Sequence, residues 1–87
     1  MIAIPPLRVL WDLDEDPFGN VLHIAENDVT KSEVEDVLKN PECIDTSNST
    51  GRPIAIGEAS TGRTILVVFE EVDESTVYPV TAYQLEG

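Results

Sequence analysis

The stretch GRPIAIGEASTGRTILVVFE, residues 51–70, decides the fold of this chain. It contains two apolar segments, 53–59 and 64–70, whose isoleucine and valine content is typical of β-strands. The pair Thr61-Gly62 lies between them, and a glycine can adopt the positive φ that a tight turn requires. The stretch therefore predicts an antiparallel β-hairpin.

Strands are also predicted on both sides of this hairpin. Before it, residues 43–46 predict a short strand and residues 47–51 a polar loop. After it, residues 72–76 predict a charged loop and residues 77–83 a last strand. Pro79 has no N–H to donate to a ladder, so we expect the last strand to have an outer edge or a bulge there.

Two helices are predicted before these strands. Residues 20–27 predict a short helix, since three apolar side chains recur there at helical spacing: Val21, Ile24 and Ala25. The second helix begins with a capping box, in which Thr30 and Glu33 satisfy each other's free backbone donors. Its apolar stripe consists of Val34, Val37 and Leu38. Asn40 and Pro41 predict its end.

The N-terminal part predicts a strand over residues 7–12, and residues 14–19 interrupt it. Residues 1–6 predict an extended lead-in, because their two prolines forbid a helix. The order is then one strand, two helices and an antiparallel meander of three or four strands. Such an order predicts a single α+β domain over residues 1–87, with its helices on one face of the sheet.

The chain is strongly acidic, with seventeen carboxylates against five basic residues and a net charge of −12. The segment 46–63 is the exception, since it contains two basic residues, Arg52 and Arg63, and a single acidic residue, Glu58. Nucleic-acid affinity depends on neutralising phosphates, so this balance disfavours nucleic acid and favours a basic protein partner. The alternative is that the charge only keeps a small protein soluble.

Cysteine content and hydropathy indicate the compartment. Cys43 is the single cysteine, which excludes an internal disulfide and a cysteine-based zinc site, and we expect it to be a small buried residue. No segment has the roughly 18 apolar residues of a membrane span, and the start lacks the features of a signal peptide. The sequence therefore predicts a cytoplasmic protein without membrane association or cofactor.

Three motifs together carry a family resemblance. The first is Leu10-Trp11-Asp12, and the second is the two-helix segment at residues 20–38. The third and most specific is residues 51–69, which is similar to the pattern R-x-I-A-I-G followed by S-x-G-R-x-L-V-V-V. These motifs resemble those of the BrnT toxins, a family with the RelE-like fold of bacterial toxin–antitoxin modules. The resemblance extends over residues 8–83 and implies a RelE/BrnT-like fold.

The resemblance implies a ribonuclease toxin that cleaves RNA without metal and is held in check by a small DNA-binding antitoxin. Arg52 and Arg63 fall at the arginine positions of the family, which implies that they contact phosphate or stabilise charge in the transition state. The alternative for each arginine is a pair with a nearby carboxylate. His23, the lone imidazole, has the chemistry of a general base for a ribose 2′-hydroxyl, or else is a structural residue.

Departures from the family pattern favour a different function. The family has K-H-G-V before its second helix, where this chain has Glu26-Asn27-Asp28-Val29. A basic run that begins A-R-K follows the last strand of the family, where this chain has Ala82-Tyr83-Gln84. We therefore favour a divergent, non-catalytic member that binds a basic or antitoxin-like protein. The metal-independent ribonuclease is the alternative.

A second alternative is a binder of a small ligand or a divalent metal. Asp12, Asp14 and Asp16 are spaced like ligands of a calcium loop, but such a loop needs a glycine where this chain has Pro17 and a glutamate where it has His23. Turn formation and helix capping are the alternative roles for these aspartates. The two tyrosines have the aromatic faces needed to stack on bases, although packing in the sheet is favoured for both: Tyr78 and Tyr83.

Overall fold

The computed structural model describes residues 8–47 and 51–85, and it confirms the α+β class. Its elements are β1 (Arg8–Val9), α1 (Asn20–Glu26), α2 (Lys31–Lys39), β2 (Cys43–Thr46), β3 (Pro53–Glu58), β4 (Thr64–Asp73) and β5 (Thr76–Gln84). The predicted lead-in at 1–6 and the middle of the predicted polar loop at 47–51 lie outside the described residues.

The strands form one mixed sheet in the order β1-β5-β4-β3-β2. Strands β2 to β5 pair antiparallel with their neighbours along the chain, which confirms the predicted meander. Strand β1 pairs parallel with β5, with Arg8 opposite Thr76. The first and last strands of the described chain are therefore neighbours, and β2 is the opposite edge.

The central hairpin forms as its sequence predicts. Strand β3 pairs with β4 so that Ile54 lies opposite Val68. In the connecting turn the Gly62 N–H donates to the Ala59 carbonyl at 2.8 Å, and Gly62 has φ of +90°. A glycine is favoured there because a Cβ atom disfavours the left-handed region.

The predicted charged loop at residues 72–76 is wrong. Strand β4 continues to Asp73 and β5 begins at Thr76, which leaves only Glu74 and Ser75 to turn the chain. The Ser75 N–H donates to Asp73 Oδ1 at 3.0 Å, so a side-chain turn closes a tight hairpin. Pro79 lies at a bulge of an interior strand, where the register shifts between Val68 and Phe69.

Both helices pack on one face of the sheet and enclose a single core. Helix α1 packs against β5, and α2 packs against β3 and β4. The capping box predicted for α2 is present, with both reciprocal bonds between Thr30 and Glu33. The buried apolar side chains of this core include Ile24, Val34, Val37, Leu38, Ala55, Ile65, Val67, Phe69, Val77 and Ala82.

Among the described residues, no helix covers the other face of the sheet. Cross-strand partners share a face, so the pairs of β3 with β4 and of β4 with β5 line up a second apolar row. We call this row the open face: Ile54, Ile56, Leu66, Val68 and Tyr83. Cys43 lies opposite Ile56 on the edge strand β2 and is exposed, so the expectation that it is buried is wrong. No helix in the described ranges is long and apolar enough to cross a membrane.

Candidate functional site

A buried ion pair joins α2 to the turn between β3 and β4. The Glu33 carboxylate, in a residue only 2% exposed, accepts from Arg63 Nη1 at 3.0 and 3.1 Å. It also accepts from the Thr61 hydroxyl at 2.7 Å and, within the capping box, from the Thr30 N–H at 3.1 Å. We call Glu33, Arg63, Thr61 and Thr30 the carboxylate node.

Further acceptors surround the Arg63 guanidinium. Its Nη1 also donates to the Asp28 carbonyl at 2.8 Å, and its Nε and Nη2 donate to Gln84 Oε1 at 3.2 and 3.1 Å. All three nitrogens of Arg63 therefore have protein acceptors. Asp28 itself has φ of +64°, a left-handed conformation in which non-glycine residues are uncommon.

The environment of Glu33 keeps its carboxylate ionised. Burial alone raises the pKa of Glu33, but the hydrogen bonds from Thr61 and Thr30 and the charge of Arg63 outweigh it. The pKa of Glu33 therefore lies below its ordinary value. At neutral pH the node holds a negative charge that neutralises the arginine predicted to bind phosphate.

Arg52 lies at the other end of the hairpin. Its Nε donates to Glu70 Oε2 at 3.0 Å, and both side chains are partly exposed. Glu70 follows Val68 along the open face, whereas Arg63 reaches toward α2. Arg63 lies close to Ala59, whose N–H donates to the Arg63 carbonyl. Arg52 lies seven residues before Ala59 in extended chain, so the backbones of Arg52 and Ala59 are about 23 Å apart. The two arginines do not converge on one phosphate.

His23 lies on a third part of the molecule. It is exposed on α1, which packs against β5. The acceptors of the Arg63 guanidinium are Asp28, Glu33 and Gln84, so His23 is not part of its network. The structure therefore does not join His23 to the carboxylate node, and a catalytic role for it stays a prediction.

A second polar cluster, which the sequence did not reveal, fastens α1 to the sheet. The buried Asn20 side chain donates through Nδ2 to the Leu10 and Pro79 carbonyls, each at 3.0 Å. Its Oδ1 accepts from the Asp12 N–H at 2.9 Å. Asp12 Oδ2 in turn accepts from the Asn20 N–H at 2.9 Å and from the Tyr78 hydroxyl at 2.6 Å. We call Asn20, Asp12 and Tyr78 the amide node.

The amide node replaces hydrogen bonds that the β1–β5 ladder cannot make. The Leu10 N–H donates to the Val77 carbonyl at 2.9 Å. In a regular parallel ladder the Leu10 carbonyl would then accept from residue 79, but Pro79 has no N–H. Asn20 supplies the missing donor. This substitution explains why regular pairing stops earlier than the predicted strand at 7–12.

The hydrogen bond between Tyr78 and Asp12 moves the pKa values of both groups away from neutral pH. It is the largest contribution that raises the pKa of Tyr78 to about 12, and burial adds to it. The same bond, with that from the Asn20 N–H, lowers the pKa of Asp12. The phenol is protonated and the carboxylate charged at neutral pH, so neither is poised for proton transfer. The hydroxyl of Tyr78 is bonded within the amide node, so Tyr78 has a structural role rather than that of an aromatic side chain free to stack on a nucleobase.

The aspartates considered as metal ligands have other partners. Asp12 belongs to the amide node, and Asp14 pairs with Lys31 Nζ at 3.2 Å. Asp16 Oδ1 accepts from the Phe18 N–H at 3.0 Å, as in an Asx turn. Within residues 8–47 and 51–85, no group of three or more histidine, cysteine or carboxylate side chains is arranged to hold a metal ion.

A shallow groove of about 360 Å³ lies between the end of α2 and the β3–β4 turn. Asp36 lies in it and accepts from the Ser60 N–H at 2.9 Å and from the Ser60 hydroxyl at 2.7 Å. These bonds lower the pKa of Asp36. Of the two carboxylates that line this groove, Asp36 and Glu58, Asp36 is thus already bonded to the turn.

No family model, curated protein or solved structure matches the chain. Their ion pairs place Arg52 and Arg63 on different faces of the sheet, each beside a carboxylate, and His23 lies on a separate helix.

Proposed function

We propose that this protein is a divergent, non-catalytic RelE/BrnT-like domain that acts in the cytoplasm by binding another protein. The observation that carries the proposal is the Arg63 guanidinium, whose three nitrogens all donate to protein acceptors. An arginine that stabilises a transition state presents its donors to the developing charge. Arg63 instead stabilises the fold by neutralising the buried Glu33.

The conformation of Asp28 supports the family resemblance. The glycine of the family's K-H-G-V segment corresponds to Asp28, which has φ of +64°. Glycine adopts this region without a steric cost, so the position retains a glycine-like backbone although the residue has changed. The order of one strand, two helices and an antiparallel meander is also the order that the resemblance implies.

The charge of the chain supports a basic protein as the partner. A net charge of −12 repels RNA and attracts lysine- and arginine-rich surfaces. In this proposal the partner is a basic, antitoxin-like protein, and the ancestral contact with RNA has been lost.

Growth and RNA cleavage test the non-catalytic part of the proposal. We expect induced expression in a bacterium to leave growth unchanged and the purified protein to leave RNA intact. Arg52→Ala and His23→Ala are suitable comparisons because both side chains are at least partly exposed and their loss should preserve the fold. Growth arrest with RNA cleavage that either variant abolishes would establish the ribonuclease instead.

Salt-dependent association tests the binding part. We expect the tagged protein, isolated from its native cells, to retain a basic protein in stoichiometric amount at low salt and to lose it as salt is raised. Asp14→Asn, Glu15→Gln and Asp16→Asn together should weaken this association. Lys31→Gln serves as the matched control, because it increases the net negative charge and should not weaken binding to a basic partner. Association that is independent of salt would contradict a basic partner.

A further inference from the structure

The loop between β1 and α1 presents two apolar side chains to solvent. Phe18 is 96% exposed and Leu13 is 72% exposed. We call residues 13–18 the presenting loop. Single exposed apolar residues are common on protein surfaces, but a phenylalanine with almost its whole side chain in solvent, in the same loop as an exposed leucine, is typical of a binding surface.

The presenting loop is held in place by hydrogen bonds. The Asp16 N–H donates to the Leu13 carbonyl at 3.1 Å, and the Gly19 N–H donates to the Asp16 carbonyl at 3.0 Å. The Phe18 N–H donates to Asp16 Oδ1 at 3.0 Å. The loop therefore consists of two consecutive hydrogen-bonded turns, which hold the Phe18 side chain in solvent.

The two ends of the presenting loop are anchored to the sheet and to α2. The reciprocal bonds between Asp12 and Asn20, both 2.9 Å, close its base. Gly19 is required there, since a Cβ at this position would lie 2.7 Å from the Asp12 Cβ. Lys31 of α2 pairs with Asp14 at 3.2 Å. A loop ordered in this way loses little conformational entropy when a partner binds it.

We infer that Phe18, supported by Leu13, is the anchor that this protein inserts into an apolar pocket with a basic rim on its partner. The inference rests on the proposed protein-binding function. Rigid aromatic side chains dominate the energetics of many interfaces. Asp14, Glu15 and Asp16 flank the anchor, so lysine or arginine around the pocket complements the loop.

The same charges argue against other occupants of this surface. A second copy of the chain also carries a net charge of −12, and two such copies repel each other. Anionic lipid surfaces and nucleic acids are repelled for the same reason. A basic protein is the partner that both the apolar and the charged parts of the loop fit.

Site-specific photo-crosslinking in the full chain tests the inference. p-Benzoylphenylalanine replaces Phe18 in one variant and Tyr83 of the open face, which is 43% exposed, in a matched variant. We expect the probe at position 18 to crosslink a protein through a peptide that contains both apolar and basic residues. We expect the probe at position 83 to give no such product.

Affinity measurements with the crosslinked partner complete the test. We expect Phe18→Ser to weaken binding by about 30-fold and Leu13→Ser by less, with the melting temperature unchanged. Val72→Ser, at a 53% exposed position on the β4–β5 hairpin, is the control and should change affinity less than about 2-fold.

The contrary outcomes separate this inference from the proposed function. A partner that crosslinks at position 83 and not at 18 overturns the role of Phe18 but leaves protein binding intact. A crosslinked dimer of this chain overturns the heterologous partner. If neither position crosslinks a protein and the purified chain cleaves RNA, the proposed function and this inference both fail.

Discussion

The amide node joins α1 to β5 and to Leu10, just after β1, through a neutral side chain, whereas the carboxylate node joins α2 to the β3–β4 turn through a buried charge. Each has a hydrogen-bonding side chain from its helix at the centre, Asn20 in one and Glu33 in the other. The two nodes differ in the kind of buried group that is left without a hydrogen-bond partner when one member is removed. A broken amide node leaves unpaired backbone groups, and a broken carboxylate node leaves an unpaired charge.

The largest expected effect comes from breaking the amide node. Asn20→Ala removes three side-chain hydrogen bonds and leaves the Leu10 and Pro79 carbonyls without that donor. We expect the free energy of unfolding to fall by about 3 kcal/mol. Urea denaturation followed by Trp11 fluorescence measures it. Asn20→Asp should be equally damaging because it retains the acceptor but has no donor, and a loss under about 1 kcal/mol in both variants would contradict the role of the amide.

Breaking the carboxylate node should cost somewhat less, because Arg63 is partly exposed and its removal opens a path for water to the buried Glu33. We expect Arg63→Ala to lower the free energy of unfolding by about 2 kcal/mol, which is below the roughly 3–5 kcal/mol of a fully buried pair because Arg63 is partly exposed. Glu33→Gln in that background should restore part of the loss, since glutamine preserves the capping box without a buried charge. Arg52→Ala, which removes an exposed ion pair, should cost less than about 1 kcal/mol. If Arg63→Ala with Glu33→Gln is no more stable than Arg63→Ala alone, the unpaired charge of Glu33 is not the cause of the lost stability.

The pH dependence of stability distinguishes the two nodes. The lowered pKa of Glu33 means that its carboxylate contributes stability that is fully present above its unfolded pKa of about 4.3. That contribution is lost as the pH falls through the folded pKa. We expect the stability difference between wild type and Glu33→Gln to shrink below about pH 4.3. The difference between wild type and Asn20→Ala should change less, because the Asn20 amide does not titrate and the backbone N–H that bonds the Asp12 carboxylate is present in both proteins. Denaturation curves between about pH 3 and 7 measure both.

The hydrogen bond between Tyr78 and Asp12 makes a smaller, spectroscopic prediction. In Tyr83→Phe, Tyr78 is the only tyrosine, and its ionisation should have a midpoint of about 12 by ultraviolet absorbance. Because this pKa is raised, the associated stability is present below about pH 10 and is lost as the pH rises through about 12. Adding Asp12→Asn should move the midpoint toward 10. The same midpoint with and without Asp12 would contradict the bond.

The smallest expected effect is a gain. Asp28→Gly removes the steric cost of a left-handed backbone at φ of +64°. The carbonyl of residue 28 that accepts from Arg63 Nη1 remains. We expect stability to rise by about 0.5 kcal/mol, with the flexibility of glycine offsetting part of the relief. Thermal unfolding measures it, and a loss would mean that the Asp28 side chain contributes more than its backbone costs.

The contrast between the nodes also explains what could be predicted from the sequence. The capping box at Thr30 and Glu33 and the turn at Gly62 depend on residues close in the chain, so local patterns predicted both. The bonds of Asn20 reach residues 8, 10 and 59 positions away, and no local pattern encodes them. Arg63 was predicted in its place on the hairpin, but its carboxylate partner lies 30 positions away on α2. Whether Arg63 binds phosphate or pairs with a carboxylate could therefore be decided only from the folded chain.

The pairing of β1 with β5 has a consequence for how the chain folds. Strands β2 to β5 can form as successive hairpins, because each pairs with its neighbour in sequence. The amide node instead closes contacts over 59 and 66 residues, at a higher loop-closure entropy. During synthesis it cannot close until residues 78 and 79 have left the ribosome. We therefore expect β1 and the presenting loop to dock last in folding and to detach first in unfolding, so that the proposed binding element is completed only once the rest of the domain has formed.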